Sequence, residues 1–220
     1  MSPSAHTAMP DYFITGTDTE IGKTYITCAL LRDLRARGLS PMGYKPMACG
    51  DRKDPRAMRD AVGNATLSLE LINPIYLRTP AAPYIAAEME QRTLSIPELV
   101  EGYKRLAGQY SPVLVEGAGG WEAPLAPGLT MADLAQALAL PVILVVGNKL
   151  GAVNHAIMTV QGIRARGLEC RSIVLNHLGE EWDAASVSNR RLIEEFTGVR
   201  VQAELIHGQE DIDSQAVLGI

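Results

Sequence analysis

The sequence predicts a single α/β domain over residues 1–220, with a mostly parallel central sheet flanked by helices on both faces. Strand-like and helix-like segments alternate along the chain, as they do in repeated βαβ units. Two strand candidates, 113–115 and 142–146, are continuously apolar, which is typical of central strands buried on both sides. A glycine-bounded loop, residues 16–24, joins the first strand to the first helix. Together these observations indicate a nucleotide-binding type of α/β fold.

The strand candidates are short apolar runs that end at turn or polar residues. In chain order they cover residues 12–15, 42–46, 113–115, 142–146, 173–175 and 200–203. Parallel neighbours need a crossover connection, so we expect a helix in most of the intervals between them.

The candidate helices carry apolar residues three and four positions apart and have recognisable ends. They span residues 23–37, 96–106, 134–138, 153–163 and 192–196. Gly38 ends the first helix. Ser95 with Glu98, and Thr130 with Asp133, have the spacing of a capping box at the start of the second and third.

Residues 48–95 lack this regularity and are rich in glycine, proline and charge. A long irregular segment inside a compact domain is usually a functional loop. We therefore predict an irregular loop or lid here. Residues 1–10 are predicted to be a loose N-terminal tail rather than a signal peptide.

Composition limits the possible functions. The net charge of −5 disfavours a nucleic-acid or anionic-membrane surface, since both need a basic footprint. The three cysteines are widely spaced and form no C-x-x-C pair, so neither a disulfide framework nor a zinc site is expected. The longest apolar run, 138–146, is too short to span a bilayer. A cytoplasmic protein without nucleic-acid or membrane partners is predicted.

The phosphate-binding loop, residues 16–24, carries the strongest functional signal. It follows an apolar strand and opens a helix, so its backbone N–H groups can surround phosphates. Lys23 supplies positive charge, and the Thr24 hydroxyl can ligate Mg²⁺. Five residues separate Gly16 from Gly22, one more than in the usual pattern. This loop predicts binding of a nucleoside triphosphate.

Three further polar residues lie at the ends of predicted strands, on the edge where nucleotides bind in such sheets. Glu116 precedes a glycine-rich turn and can hold Mg²⁺ directly or through water. Lys45 can bind substrate or stabilise a transferring phosphoryl group. Asn176 offers the donor and acceptor that adenine requires. The segment 147–151 is similar to the Asn-Lys-x-Asp motif by which GTPases recognise guanine, but Gly151 replaces the aspartate whose carboxylate binds guanine.

These residues resemble the motifs of the dethiobiotin synthetase family. The resemblance lies in residues 16–24, 43–46, 115–121 and 142–156, and it extends over positions 12 to about 177. It implies an ATP- and Mg²⁺-dependent homodimeric ligase of biotin synthesis, which joins 7,8-diaminopelargonic acid to CO₂ and closes a ureido ring. The implied steps are carbamate formation, phosphorylation to a carbamic–phosphoric anhydride, and attack by the second amine.

The resemblance also implies roles for individual residues. Catalysis is assigned to Lys23 and Lys45. The implied nucleotide-binding residues are Thr19, Glu20, Ile21, Gly22, Lys23, Thr24, Tyr25, Glu116, Gly117, Ala118, Gly119 and Asn176. The implied substrate-binding residues are Lys45, Cys49 and, from the partner subunit, Leu150, Gly151 and Asn154. The implied Mg²⁺ ligands are Thr24, Glu116 and an aspartate, for which Asp60 matches best and Asp54 is the alternative.

The sequence departs from the family pattern at two places. Cys49 stands where the family commonly has a serine, and a thiol is the weaker hydrogen-bond donor. The segment 205–208 lacks the proline-rich character expected beside adenine. Three alternatives are a partition-type (ParA/MinD-like) switch ATPase, an amidoligase such as a cobyrinate diamide synthase, and a GTPase.

Overall fold

The computed structural model describes residues 9–180 and 183–220 of the chain. The predicted tail at residues 1–10 lies mostly outside the described residues. The strands are β1 Tyr12–Gly16, β2 Met42–Tyr44, β3 Met47–Cys49, β4 Ile75–Leu77, β5 Val113–Glu116, β6 Pro124–Ala126, β7 Leu129–Thr130, β8 Val142–Gly147, β9 Cys170–Asn176 and β10 Val201–Leu205. The helices are α1 Lys23–Ala36, α2 Lys53–Val62, α3 Leu69–Ile72, α4 Pro83–Met89, α5 Ile96–Ala107, α6 Met131–Leu138, α7 Ala152–Ala165, α8 Ala184–Thr197 and α9 Ser214–Leu218.

The central sheet has six strands in the order β10-β9-β8-β1-β5-β2, and every neighbouring pair is parallel. All six predicted strands coincide with strands of this sheet. Because the strands are parallel, their carboxyl ends share one edge, with β1 near the middle. The phosphate-binding loop leaves β1 at that edge.

Helices cover both faces of the sheet, and β8 shows why. Along β8, Ile143 and Val145 belong to one apolar cluster, whereas Leu144 and Val146 belong to another. Alternate side chains of a strand point to opposite faces, so each cluster marks one covered face. A strand buried on both sides has no polar positions, which explains its continuously apolar sequence. The predicted fold class is confirmed.

The prediction that residues 48–95 are irregular is wrong. They contain α2, α3 and α4 as well as β4 and part of β3. Helix α2 buries Pro55, Met58 and Ala61, which are three residues apart, and packs against α1 and β2. The charged residues around this stripe conceal its period in the sequence.

Two local predictions at element ends had different outcomes. The capping box at Thr130 is present, with the Thr130 N–H donating to Asp133 Oδ2 at 2.7 Å. At Ser95 the side chain makes no capping hydrogen bond, so that capping box is wrong. Among the described residues, no helix combines the length and apolar character that crossing a bilayer requires.

Candidate functional site

The phosphate-binding loop has a backbone that only certain residues tolerate. Gly22 immediately precedes α1 with φ of +90°, in the left-handed region. A Cβ on Gly22 would lie 2.2 Å from Nδ2 of Asn176, so a larger residue would also clash. No side chain caps the start of α1. The first N–H groups of that helix are therefore available to an anion in the adjoining cavity.

This cavity, the phosphate-loop cavity, has a volume of about 480 Å³. Its lining combines the loop with groups from the neighbouring strand ends. The lining residues are Thr19, Glu20, Gly22, Lys23, Thr24, Tyr25, Lys45, Cys49, Asp54, Glu116 and Gly119. The structure thus brings together most of the residues predicted to bind nucleotide, because α1, β2 and β5 all meet at one edge of the sheet.

Lys23 is the first residue of α1, directly after Gly22 of the phosphate-binding loop, and is 6% exposed. Its ammonium donates to the carbonyl oxygen of Asp18 at 2.7 Å. Burial, followed by repulsion from Lys45, lowers the pKa of Lys23 to about 8, against the attraction of nearby carboxylates. A bound polyphosphate would favour the charged form, so anion binding and protonation of Lys23 are coupled.

Glu116 is completely buried at the end of β5, and both of its carboxylate oxygens are hydrogen-bonded. Oε1 accepts from the Thr24 hydroxyl at 2.7 Å and from the Lys45 ammonium at 2.6 Å. Oε2 accepts from the Thr27 hydroxyl at 2.6 Å. Thr27 was missed from the sequence, although its position three residues after Thr24 places both on one helix face.

Lys45 follows β2 and is 5% exposed. Its ammonium lies 2.6 Å from Glu116 Oε1 and 3.0 Å from Asp54 Oδ2. Burial opposes the charge of Lys45, but the two carboxylates outweigh it and raise its pKa. Lys45 is therefore an ammonium at neutral pH, placed beside the phosphate-binding loop.

The two candidate aspartates occupy different places. Asp54 opens α2, lines the phosphate-loop cavity and contacts Lys45. Asp60 is exposed near the end of α2 and lines another cavity, of about 390 Å³, which shares Thr24 and Tyr25 with the phosphate-loop cavity. A spacing of six residues places the two side chains nearly two turns apart along α2 and about 120° apart around its axis. Asp54, rather than the preferred Asp60, lies with Lys45 and Glu116.

A second cavity, the apolar-walled cavity, adjoins the first and has a volume of about 490 Å³. The residues that line both cavities are Thr19, Glu20, Lys45, Cys49, Asp54 and Gly119. Much of the remaining wall is apolar and comes from Met47, Ala48, Pro80, Ala81, Ala82, Pro83 and Ala123. Burial raises the pKa of the Cys49 thiol, so the thiol stays protonated there. The cavity suits an aliphatic chain that carries polar groups near Lys45.

Asn176 ends β9, and its side-chain amide donates to the carbonyl oxygen of Ile21 at 2.9 Å. This contact ties the phosphate-binding loop to the neighbouring strand end. The amide oxygen and the second N–H of the Asn176 side chain can each bond a ligand. The interpretation of Asn176 as an adenine contact stays a prediction.

The turn after β8 is placed differently from the other predicted site residues. Leu150, Gly151 and Asn154 line neither of the two adjoining cavities, and Leu150 is 83% exposed. Asn148, from the segment that imitates a guanine reader, is buried instead. Its side chain accepts from Asn189 at 2.7 Å and donates to the carbonyl of Ser186 at 3.1 Å. It stabilises the turn from inside.

The chain is similar to known proteins over most of its length. Residues 11–210 match a family model described as an AAA domain. The chain is 46% identical to the ATP-dependent dethiobiotin synthetase BioD of Akkermansia muciniphila, over 96% of this chain and 98% of that protein. It is 41% identical to the protein of the same name from Anaeromyxobacter sp. strain Fw109-5, over 96% of both chains. It is 44% identical to ATP-dependent dethiobiotin synthetase BioD 1 of Escherichia coli O157:H7, over 75% of this chain and 76% of that one.

Solved structures with low sequence identity share the fold alone. A ParA family ATPase from Chlorobium tepidum TLS gives a TM-score of 0.59 at 12% identity, covering 96% of this chain and 91% of that one. The signal recognition particle receptor FtsY from Elizabethkingia anophelis, in complex with GDP, gives 0.57 at 12% identity, covering 99% of this chain and 65% of that one.

Proposed function

Because this chain belongs to the ATP-dependent dethiobiotin synthetase family, we propose that it joins 7,8-diaminopelargonic acid to CO₂ with hydrolysis of ATP. The enzyme is an ATP-dependent carbon–nitrogen cyclo-ligase of biotin synthesis. The observation that best supports this specific reaction is the wall shared by the phosphate-loop cavity and the apolar-walled cavity. There the ammonium of Lys45 lies between the phosphate-binding loop and an apolar-walled space.

In the proposed first step, one amine of the substrate attacks CO₂, loses a proton and becomes a carbamate. The carbamate then carries a negative charge that the Lys45 ammonium can hold. An aliphatic chain of the substrate would pack against the apolar wall that includes Ala81 and Ala123, where it would replace water on an apolar surface. Cys49 lies beside Lys45 in the same wall and contacts the substrate near its polar end.

In the second step a carbamate oxygen attacks the γ-phosphorus of ATP, and the bond to ADP breaks. Negative charge moves toward the phosphoryl oxygens and ADP, where Lys23 and the N–H groups of the phosphate-binding loop stabilise it. In the third step the second amine attacks the carbonyl carbon of the anhydride. Phosphate leaves, a proton is released and the ureido ring closes. No protein nucleophile is needed, so the residues act by positioning and charge.

The donor set beside the loop fits Mg²⁺. Thr24, Asp54 and Glu116 offer one hydroxyl and two carboxylates, and oxygen is the ligand that this hard cation prefers. When bound, Mg²⁺ would neutralise charge on the phosphates. We assign the third ligand to Asp54, because Asp54 lines the same cavity as Thr24 and Glu116, whereas the cavity that Asp60 lines contains Thr24 but not Glu116.

We further propose a cytoplasmic homodimer in which the turn 150–154 of a second copy completes the substrate site. Leu150 is 83% exposed in the single chain, and Gly151 begins α7 without a side-chain cap. A helix start of this kind can bind the substrate carboxylate. In this arrangement the apolar side chain of Leu150 would be covered by the partner. The chain would act as one domain within that dimer.

The test is ATP turnover by the purified chain with Mg²⁺, with and without diaminopelargonate and bicarbonate. We expect strong stimulation by the two together, and dethiobiotin as the product by mass spectrometry. Turnover stimulated only by DNA, lipid or another protein would contradict the ligase and favour the partition-type switch.

Asp54 and Asp60 form a matched pair for the metal assignment. Asp54→Asn should raise the Mg²⁺ concentration needed for half-maximal turnover by roughly 10- to 100-fold. Asp60→Asn makes the same chemical change on the same helix and should leave that concentration near the wild-type value. The reverse pattern would assign the metal to Asp60.

A further inference from the structure

Thr27 is a buried polar residue that the proposed reaction leaves without a role. It lies on α1, one turn after Thr24, and is completely inaccessible to solvent. Its hydroxyl oxygen is 2.6 Å from Glu116 Oε2 and 2.9 Å from the carbonyl oxygen of Lys23. The contact with Glu116 joins α1 to the end of β5.

A hydroxyl group has a single proton, so Thr27 can donate to one of these oxygens at a time. The contact to Glu116 is the shorter one, and 2.6 Å is typical of an O–H donor to a carboxylate. We therefore assign the proton to Glu116. No other donor contacts Oε2 within hydrogen-bonding distance among the described residues.

The hydrogen bonds divide the carboxylate into two halves. Oε2 is held by Thr27 in the interior, whereas Oε1 is shared by Thr24 and Lys45 beside the phosphate-loop cavity. A carboxylate held at only one oxygen can rotate about its last side-chain bond. Fixing Oε2 therefore fixes the direction in which Oε1 meets the cavity.

We propose that Thr27 is a positioning residue that holds Glu116 in the orientation needed to bind Mg²⁺ with the nucleotide. The proposal rests on the proposed function, which assigns Glu116 to the metal. Thr27 itself contacts neither nucleotide nor metal. Groups that orient metal ligands in this way commonly change metal affinity by 10- to 100-fold when they are removed.

The experiment compares four proteins: wild type, Thr27→Val, Thr27→Ser and Thr159→Val. Valine has the shape of threonine without the hydroxyl, and serine restores the hydroxyl. Thr159 is the matched control, because it is a buried helical threonine whose hydroxyl, within the described part of the chain, bonds only the carbonyl four residues earlier. Thr159→Val therefore removes a buried threonine hydroxyl from a helix without affecting a carboxylate.

Binding of a fluorescent ATP analogue is measured at increasing Mg²⁺ and again in EDTA, without diamine. Thr27→Val should raise the half-saturating Mg²⁺ concentration by roughly 10- to 100-fold, and binding in EDTA should hardly change. Thr27→Ser and Thr159→Val should stay near wild type. If Thr27→Val does not fold, Thr27→Cys replaces it, since a thiol is a weak donor and should give a smaller shift in the same direction.

Equal Mg²⁺ dependence in Thr27→Val and wild type would overturn the proposal. So would an equal loss in Thr27→Val and Thr159→Val, because that would indicate general destabilisation. The proposed function fails separately if diaminopelargonate does not stimulate wild-type ATP turnover. Binding without diamine still tests Thr27 in that case. Wild-type binding that ignores Mg²⁺ would overturn both the metal assignment and the role of Thr27.

Discussion

Raising the pH from 7 to 9 should weaken ATP binding through Lys23. In the free protein its pKa is lowered to about 8, first by burial and then by the neighbouring Lys45 ammonium. Bound phosphates place negative charge beside Lys23 and favour its protonated form. Binding above pH 8 must therefore take up a proton, and the affinity falls as protons become scarce. The pKa of Lys45 is raised, so Lys45 stays charged across this range.

The size of the effect follows from the pKa. With a value of about 8, Lys23 in the free protein is roughly 90% protonated at pH 7 and roughly 10% at pH 9. If the lysine is fully protonated in the complex, the dissociation constant rises about tenfold between these pH values, or about 1.4 kcal/mol. Most of this change falls between pH 8 and 9. Below pH 7 the lysine is already charged and contributes no pH dependence.

Calorimetric titration with ATP and Mg²⁺, without diamine, measures both quantities. We expect the dissociation constant to rise about tenfold from pH 7 to 9, and we expect close to one proton to be taken up per ATP at pH 9. Proton uptake is read from the difference in heat between two buffers of unlike ionisation enthalpy. Lys23→Met is the control: its binding is weaker, but it should lose this pH dependence. If the dissociation constant rises equally with pH in wild type and Lys23→Met, the assignment of the titration to Lys23 is refuted.

Two further predictions concern the neighbouring residues. Lys45→Ala should reduce kcat far more than it weakens ATP binding, because the carbamate loses its counter-charge. Equal losses in kcat and ATP affinity, in single-turnover and binding assays, would contradict this role of Lys45. The same substitution should also destabilise the fold by about 3–5 kcal/mol, since it leaves Glu116 buried without its cation. Cys49→Ser should keep or improve the KM for diaminopelargonate, because a hydroxyl donates better than a thiol. A marked rise in that KM would show that residue 49 does not contact the polar end of the substrate.

Much of the fold is predictable because parallel sheets leave a strong sequence signal. A central strand such as β8 is covered on both sides, and every one of its residues is buried. The resulting apolar run marks the strand without any knowledge of its neighbours. Helix α2 gave no comparable signal, because it buries only one narrow stripe and most of its other positions are charged. A short amphipathic helix among prolines and charges is therefore easily mistaken for a loop.

The site shows the same contrast between the part formed by consecutive residues and the part formed by residues that are distant in sequence. The phosphate-binding loop is contiguous, so residues 16–24 reveal its chemistry from the sequence alone. The choice between Asp54 and Asp60 could not be made in this way, because each is an aspartate on one charged helix. It depends on which end of α2 lies beside Lys45, and that is decided by the packing of α2 against α1 and β2.

The sequence by itself determined the parallel sheet, the phosphate-binding loop and the family to which the chain belongs. These features are encoded by runs of consecutive residues, whose backbone geometry depends mainly on the residues next to them in the sequence. Tertiary structure alone decided that Thr27 holds one oxygen of Glu116, 89 positions further along the chain, while Lys45 holds the other. Hydrogen bonds of this kind act over less than about 3.5 Å, so they exist only after distant segments have packed together. Local patterns therefore fix the type of chemistry, and the packing of α1 on β5 fixes the orientation of the groups that carry it out.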